Sequence, residues 1–266
     1  MFDDTTQAIA DRSFPVSSIA FALTEDTLLR RFNLYYETLT ADTPERVRLA
    51  QMVRYQVYCV ENPLEVEACP GNPTGVESDD FDSHAVHSLI VRRATGDALG
   101  TTRLILPLAD APERSFAVQR LLDAGSAGIL LSLPHRSTAE VSRFSISRQF
   151  RRRITGISAG PNQPGSESGN SCGPLVRLGL IQGLVRMSME QRITHWCALM
   201  EPTLLRMLNA MAIRFRPIGP LVQFRGLRQP CYIVLSDMLK AVKRERPAFW
   251  EVLTDGGSLL ECAPAG

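Results

Sequence analysis

AEVSRFSISRQFRRR, residues 139–153, is the stretch from which the fold can be read. Val141, Phe144 and Ile146 are spaced among polar residues in the manner of a half-buried strand. One carboxylate, Glu140, and one cation, Arg143, sit on that strand. Arg148, Arg151, Arg152 and Arg153 crowd its exit. A lone base on a rigid strand beside a basic loop suits acyl or phosphate-bearing donors, because arginine grips phosphate and carboxylate through two parallel hydrogen bonds. The period of two would put Glu140 and Arg143 on opposite faces, so a bulge is needed to bring them together.

Working outward, the segments alternate between strand-like and helix-like patterns. Residues 85–92 and 99–106 read as two strands joined at the turn Ala94-Thr95-Gly96-Asp97. Upstream, Asp42-Thr43-Pro44-Glu45 has a capping residue, a proline in the first turn and an acid near the positive helix end. The helix it opens extends to about residue 59, with Val47, Leu49, Met52, Val53, Val57 and Tyr58 as its apolar side. Residues 19–32 suggest a short helix and 32–38 a first strand. Residues 116–122 read as a short helix. Downstream, residues 174–191 form the strongest helical pattern, with Leu175, Leu178, Ile181, Val185 and Met189 three or four apart. Residues 193–200 read as a strand, 202–211 as a helix, and 215–222 and 231–235 as the last strands. A basic amphipathic helix begins near Asp237. This order predicts one α/β domain over residues 1–266, a mixed sheet with helices on both faces. The core spans about residues 30–235. Residues 1–17 form a lead-in, 155–173 a flexible Gly/Ser/Pro-rich insertion, and 236–266 a tail.

Composition narrows the function. With 44% hydrophobic and 21% charged residues the chain can build a packed core, and a net charge of +1 argues against nucleic-acid binding. No apolar run approaches the ~20 residues that span a bilayer. The six cysteines form no CxxC pair and fit a reduced, cytoplasmic protein. Cys59 and Cys197 read as small buried hydrophobes. GxGxxG and GxxxxGK[ST] are both missing, so nucleotide-binding scaffolds lack support. Glu77, Asp79, Asp80 and Asp82 with His84 and His87 have suitable ligand atoms, but the spacing lacks the glycine of a calcium loop, and no metal is expected. Arg54 and Arg103 are the natural partners of these acids. His195 could protonate a leaving group, although its place on a strand beside Trp196 suits a core histidine better.

Six ordered blocks carry a resemblance: RYQVYCVE from Arg54, ESDDFDSHAVHSLI from Glu77, GTTRLILP from Gly100, AEVSRFSISRQFRRR, HWCALMEPTLLRML from His195 and IGPLVQFRGLRQPC from Ile218. Together they resemble the PEP-CTERM/exosortase system-associated acyltransferase family, which is similar in turn to acyl-homoserine-lactone synthases and N-acyl amino acid synthases. With the strand order, the resemblance implies a GNAT-like fold with a V-shaped parting between strands 139–146 and 193–200. It also implies transfer of a fatty acyl group from an acyl carrier protein thioester (or acyl-CoA) to a small amine, with no permanently bound cofactor. By the same resemblance Glu140 and Arg143 match the catalytic E-x-S-R-F motif. Arg54, Tyr58, Asp79, Asp82 and Arg103 match substrate-side positions, and Arg148, Arg151, Arg152 and Arg153 would dock the acyl carrier protein. A lactone synthase using S-adenosylmethionine and a silent carrier-binding module are the competing implications.

Overall fold

The computed structural model describes residues 27–62, 75–148 and 172–261. The expected lead-in, most of the expected insertion, and Arg151, Arg152 and Arg153 lie outside them. Eight strands form one mixed sheet in the order β1-β2-β3-β4-β5-β8-β6, with β7 pairing to β8. In chain order these are β1 (Tyr36–Thr40), β2 (Ala85–Arg92), β3 (Ala98–Ile105), β4 (Thr138–Ile146), β5 (His195–Met200), β6 (Arg216–Pro217), β7 (Val222–Gln223) and β8 (Leu227–Val234). All neighbours are antiparallel except β4 and β5.

Helices cover both faces. Helix α1 (Leu28–Tyr35) precedes β1, and α2 (Pro44–Tyr55) follows it. Thr43 caps α2 by accepting from Arg46 N–H at 3.3 Å, with Pro44 in the first turn, as the sequence predicts. Helix α3 (Ala124–Leu131) lies between β3 and β4, α4 (Cys172–Glu190) between β4 and β5, and α5 (Pro202–Ala210) after β5. The chain continues as α6 (Leu235–Glu245), α7 (Pro247–Thr254) and α8 (Ser258–Glu261). Helix α4 fills one face, packing Leu178, Ile181 and Val185 with Ile90, Leu104, Val141 and Trp196. Residues beyond 235 join this cluster through Leu239, Val242, Val252 and Leu253. Helix α2 and a second cluster of Phe81, Ile105, Phe116, Val118, Cys197 and Ile218 cover the other face.

The parting predicted between the central strands is present. The parallel ladder runs Thr138↔His195, Ala139↔Trp196 and Glu140↔Cys197 and stops there, while β4 continues to Ile146 and β5 to Met200. A bulge follows at once. Arg103 pairs with Ser142 and Thr101 with Ser145, so β4 has one residue more than β3 across this step. Arg143 adopts a left-handed φ of 53°, uncommon for a residue with a side chain and frequent where a site holds the backbone under strain.

Some boundaries differ from the sequence expectation. Helix α1 runs through Tyr35, so the first strand begins at Tyr36 and not at Phe32. The turn at residues 116–122 contracts to a 3₁₀ helix, Val118–Leu121. Residues 218–221 leave the ladder, as Pro217, Gly219 and Pro220 dictate, since proline has no N–H to donate and glycine weakens a strand. Met52 points outward, because α2 turns Ala50, Val53 and Arg54 inward. Helix α3, made of AGSAGILL, has too little pattern to be read from sequence, yet Asp123 caps it by accepting from Ser126 N–H at 2.8 Å.

Candidate active site

The site begins with a capping box. In the 3₁₀ turn Asp80–His84, Asp79 Oδ1 accepts from Phe81 N–H at 3.0 Å and Asp82 Oδ2 accepts from Asp79 N–H at 2.8 Å. Buried Phe81 anchors the turn, so both carboxylates are held by the local backbone before any cation approaches.

Three arginines close on them. Arg54 stands in the last turn of α2, where the helix widens into a π-helical turn, Gln56–Glu61. It donates two bonds to Asp82 at 2.6 and 3.0 Å and one to Glu77. Arg103 on β3 donates to Asp79 at 2.6 and 3.0 Å, to Asp82 at 2.8 Å and to Ser142 Oγ at 3.0 Å. Arg143, re-aimed by the bulge, donates to Glu77 at 2.8 Å and Asp79 at 2.9 Å. The chain of contacts Glu77–Arg54–Asp82–Arg103–Asp79–Arg143–Glu77 is a closed ring of alternating charge. Burial pushes the Glu77 carboxyl up, but Arg143 and Arg54 outweigh it and hold it at about 2. Asp82 is likewise held well below the usual carboxylate range, by Arg54 and Arg103 against burial. His87, buried 3.5 Å from Asp82, is pushed down to about 4 by burial and by Arg54, and so stays neutral. Tyr58, on the π-helical turn, lies under the Arg143 guanidinium, 5.3 Å from ring centroid to carbon.

Glu140 is outside this ring. The bulge brings Arg143 to the acids of the 77–82 segment, so the pairing of Glu140 with Arg143 does not form. Glu140 pairs in register with Ile105 and Cys197 and so faces the second core cluster. It is 3% exposed, and Val118 N–H donates to its Oε2 at 2.9 Å. Burial raises its pKa to about 7, against the opposing pull of the Val118 N–H and of Arg103 and Arg143.

Glu140 also lines a cavity of about 450 Å³ that opens where β4 and β5 part. Tyr58, Glu77, Asp79, Arg103, Ser142 and Arg143 share its wall. Arg54 and Asp82 do not; they stand behind it and brace the groups that do. Sequence reasoning named Glu140, Arg143, Tyr58, Asp79 and Arg103, and the structure brings these five to one wall. It passed over Ser142, the Val118 amide, Arg120, Phe224 and Arg225; Phe224 and Arg225 lie within the IGPLVQFRGLRQPC block, so the signal was present but unassigned.

Other expectations fall away from the site. His195 sits at the start of β5 with its Nδ1 2.8 Å from Thr194 Oγ1, and it does not line the cavity. Cys197 is fully buried and burial pushes its thiol up, in keeping with its reading as a small buried hydrophobe. Cys59 is half-buried and disulfide-bonded, contrary to its reading as a small buried hydrophobe. Arg148 is exposed; its backbone N–H, with Ser147 Oγ, donates to Glu61 at 2.7 Å and fixes the exit of β4. Among the described residues no helix is long and apolar enough to cross a membrane.

A profile of the acetyltransferase (GNAT) domain matches residues 53–156, a span that holds every member of the ring together with Glu140. This agrees with the expectation of an acyltransferase. Several solved structures share the fold. TofI, solved in a ternary complex with an inhibitor and MTA, is 18% identical at a TM-score of 0.52, covering 80% of this chain and 99% of its own. The CoA-dependent acyl-homoserine lactone synthase BjaI, solved with MTA, is 15% identical at 0.51, covering 87% and 90%. MesI, another CoA-dependent acyl-homoserine lactone synthase, is 18% identical at 0.51, covering 80% and 94%. At these identities the likeness is one of fold, and the chain is GNAT-like. No curated protein matches the sequence.

Proposed function

We propose that the chain is an N-acyltransferase that moves a fatty acyl group from a thioester donor, acyl carrier protein or coenzyme A, to the amine of an amino acid or related small acceptor. The observation that carries this reading is Glu140: a nearly buried carboxyl with a pKa near neutrality, on a cavity wall at the point where two parallel strands separate. A general base is most effective when its pKa lies near the working pH. The Val118 amide engages one oxygen of Glu140, which orients the carboxylate and keeps the other oxygen out of that bond.

In this reading the thioester arm lies in the parting, along the edge of β4 that β5 leaves beyond Glu140. The neutral amine attacks the thioester carbon, a C–N bond forms, and the C–S bond breaks. Glu140 takes the proton from nitrogen and can return it to the departing thiolate. A backbone N–H of the uncovered β4 edge is the donor for the developing oxyanion. Arg143 and Arg103, locked by the acidic ring, present guanidinium groups on the wall that need not reorganise as that charge develops. Arg148, Arg151, Arg152 and Arg153 are the basic residues of the sequence to which an acidic carrier protein would dock, and the resemblance of the six sequence blocks to PEP-CTERM/exosortase-associated acyltransferases supports a role in that system. Residues 1–266 act as one domain, and the bonded Cys59 departs from the fully reduced cysteines on which the cytoplasmic expectation was drawn.

A second reading is favoured by the company the fold keeps, since BjaI and MesI are lactone synthases. One experiment separates the two. Purified protein is incubated with long-chain acyl carrier protein or acyl-CoA and a pool of amino acids, amines and S-adenosylmethionine, and the products are read by mass spectrometry. An N-acyl amino acid supports the proposal, an acyl-homoserine lactone supports the second reading, and no acylated product with any donor overturns both.

A further inference from the structure

The cavity wall carries five arginines, Arg103, Arg120, Arg143, Arg225 and Arg228, against three carboxyls, Glu77, Asp79 and Glu140. Most of this charge is already matched. Arg103 and Arg143 belong to the ring, in which Arg54, Arg103 and Arg143 balance Glu77, Asp79 and Asp82. Arg228 reaches Glu201 at 3.0 Å. Arg120 and Arg225 remain, and neither has a carboxylate within ion-pair distance among the described residues. Each guanidinium instead lies over an aromatic ring, Arg120 over Phe81 at 4.7 Å and Arg225 over Phe224 at 5.5 Å. Phe81 is 7% exposed and packed in the second core cluster, so Arg120 rests on a fixed surface.

We infer that Arg120, with Arg225 of the β7–β8 hairpin on the wall of the same cavity, forms an anion subsite for the acceptor's carboxylate, so that the acceptor is an α-amino acid and not a simple amine. This rests on the acyl-transfer reading above. The placement favours an acceptor carboxylate over a donor phosphate. Arg120 lies two residues beyond Val118, whose N–H holds Glu140, so the cation stands on the short turn, Val118–Leu121, that anchors the base, and both line the same cavity. An α-amino acid has its amine and its carboxylate one carbon apart, which suits adjacent recognition of both. A donor's phosphate lies a whole pantetheine arm away from the reacting carbonyl.

The test has a turnover arm and a binding arm. Glycine, leucine and phenylalanine are compared with their carboxamides as acceptors, in wild type, Arg120→Ala and Arg120→Gln, and acyl-CoA is compared with acyl-pantetheine as donor. Wild type is expected to prefer the acids. Both variants are expected to raise acceptor KM roughly 10- to 100-fold for the acids and hardly for the amides, with donor KM unchanged. Equal use of acid and amide by wild type, or an undiminished preference in both variants, overturns the subsite. So does an effect confined to acyl-CoA and missing with acyl-pantetheine, which assigns Arg120 to a donor phosphate. Calorimetry of the same acids and amides with the donor-free protein reads binding alone. Acid-selective binding that the variants lose, with no acylated product, upholds the subsite and fells the acyl-transfer reading instead.

Discussion

Arg54→Met breaks the ring at its most buried member. The side chain is 0% exposed and bonds both Glu77 and Asp82. Methionine has similar length and no charge, so the change removes the cation while roughly keeping the volume. The ring then holds three carboxylates against two guanidiniums. Leaving a buried charge without its partner costs about 3–5 kcal/mol, which for a chain of this size lowers Tm by roughly 10 °C. The sign of the pH dependence follows from Glu77. Its folded pKa of about 2 lies below the ordinary 4.5, so it contributes stability above pH 4.5 that is lost as pH falls toward 2. The variant lacks much of that contribution, so the gap between the two proteins is widest at pH 7 and narrows as pH falls through about 4. Chemical denaturation of both proteins at pH 4, 5 and 7 measures it. A difference under ~1 kcal/mol at pH 7, or one that does not change with pH, refutes the claim that the ring is a coupled electrostatic unit. An equally stable variant with a raised acceptor KM would show instead that Arg54 touches substrate.

Further outcomes follow from the same contacts. Glu140 has its pKa raised from 4.5 to about 7, so the wild-type fold loses stability as pH climbs through that window, by roughly 3 kcal/mol in all. Glu140→Gln stays neutral and still accepts from Val118, so its Tm should match wild type near pH 4 and exceed it by several degrees at pH 8; a lower Tm at both would contradict the assignment. Gly183→Ala would place a Cβ 2.2 Å from Ser88 Oγ and 2.7 Å from Ser88 Cβ, where α4 meets β2. The overlap should cost ~1–3 kcal/mol in a denaturant titration, despite alanine's better helix propensity. Arg151→Ala combined with Arg152→Ala should weaken acyl carrier protein binding at low salt, and the difference should fade as ionic strength rises; binding unchanged at low salt would remove the docking role.

How much of this was legible in the chain depends on what each residue's partner is. The β2–β3 hairpin and α4 were readable because turn chemistry and apolar spacing are local. The parting was legible only through the strand order taken together with the sequence blocks that resemble known acyltransferases. Glu140 and Arg143 stood out as the lone base and cation on the central strand. Their relation did not, because it turns on one inserted residue that sends Arg143 to Glu77 and Asp79. Within ESDDFD, spacing alone cannot say which acids point inward. The capping box decides it, turning Asp79 and Asp82 to the arginines and leaving Asp80 exposed. Glu77, the acid that closes the ring, precedes that turn; its pairing with Arg54 was expected, but its second partner, Arg143, was not. Met52 was misplaced for a related reason: a charged residue, Arg54, occupies the inward face where an apolar one was expected.

The most direct test of the account is the pH–rate profile of wild type beside Glu140→Gln, with the acceptor and donor that give product. Wild-type kcat/KM should rise with pH through a midpoint near 7, the pKa of the buried carboxyl, before the limb set by the free amine. Glu140→Gln should lose roughly 10²–10⁴-fold at neutral pH, lack the midpoint near 7, and recover in part at alkaline pH as neutral amine accumulates. A variant with wild-type turnover at pH 7, or one that keeps the same midpoint, would contradict the assignment of Glu140 as the base.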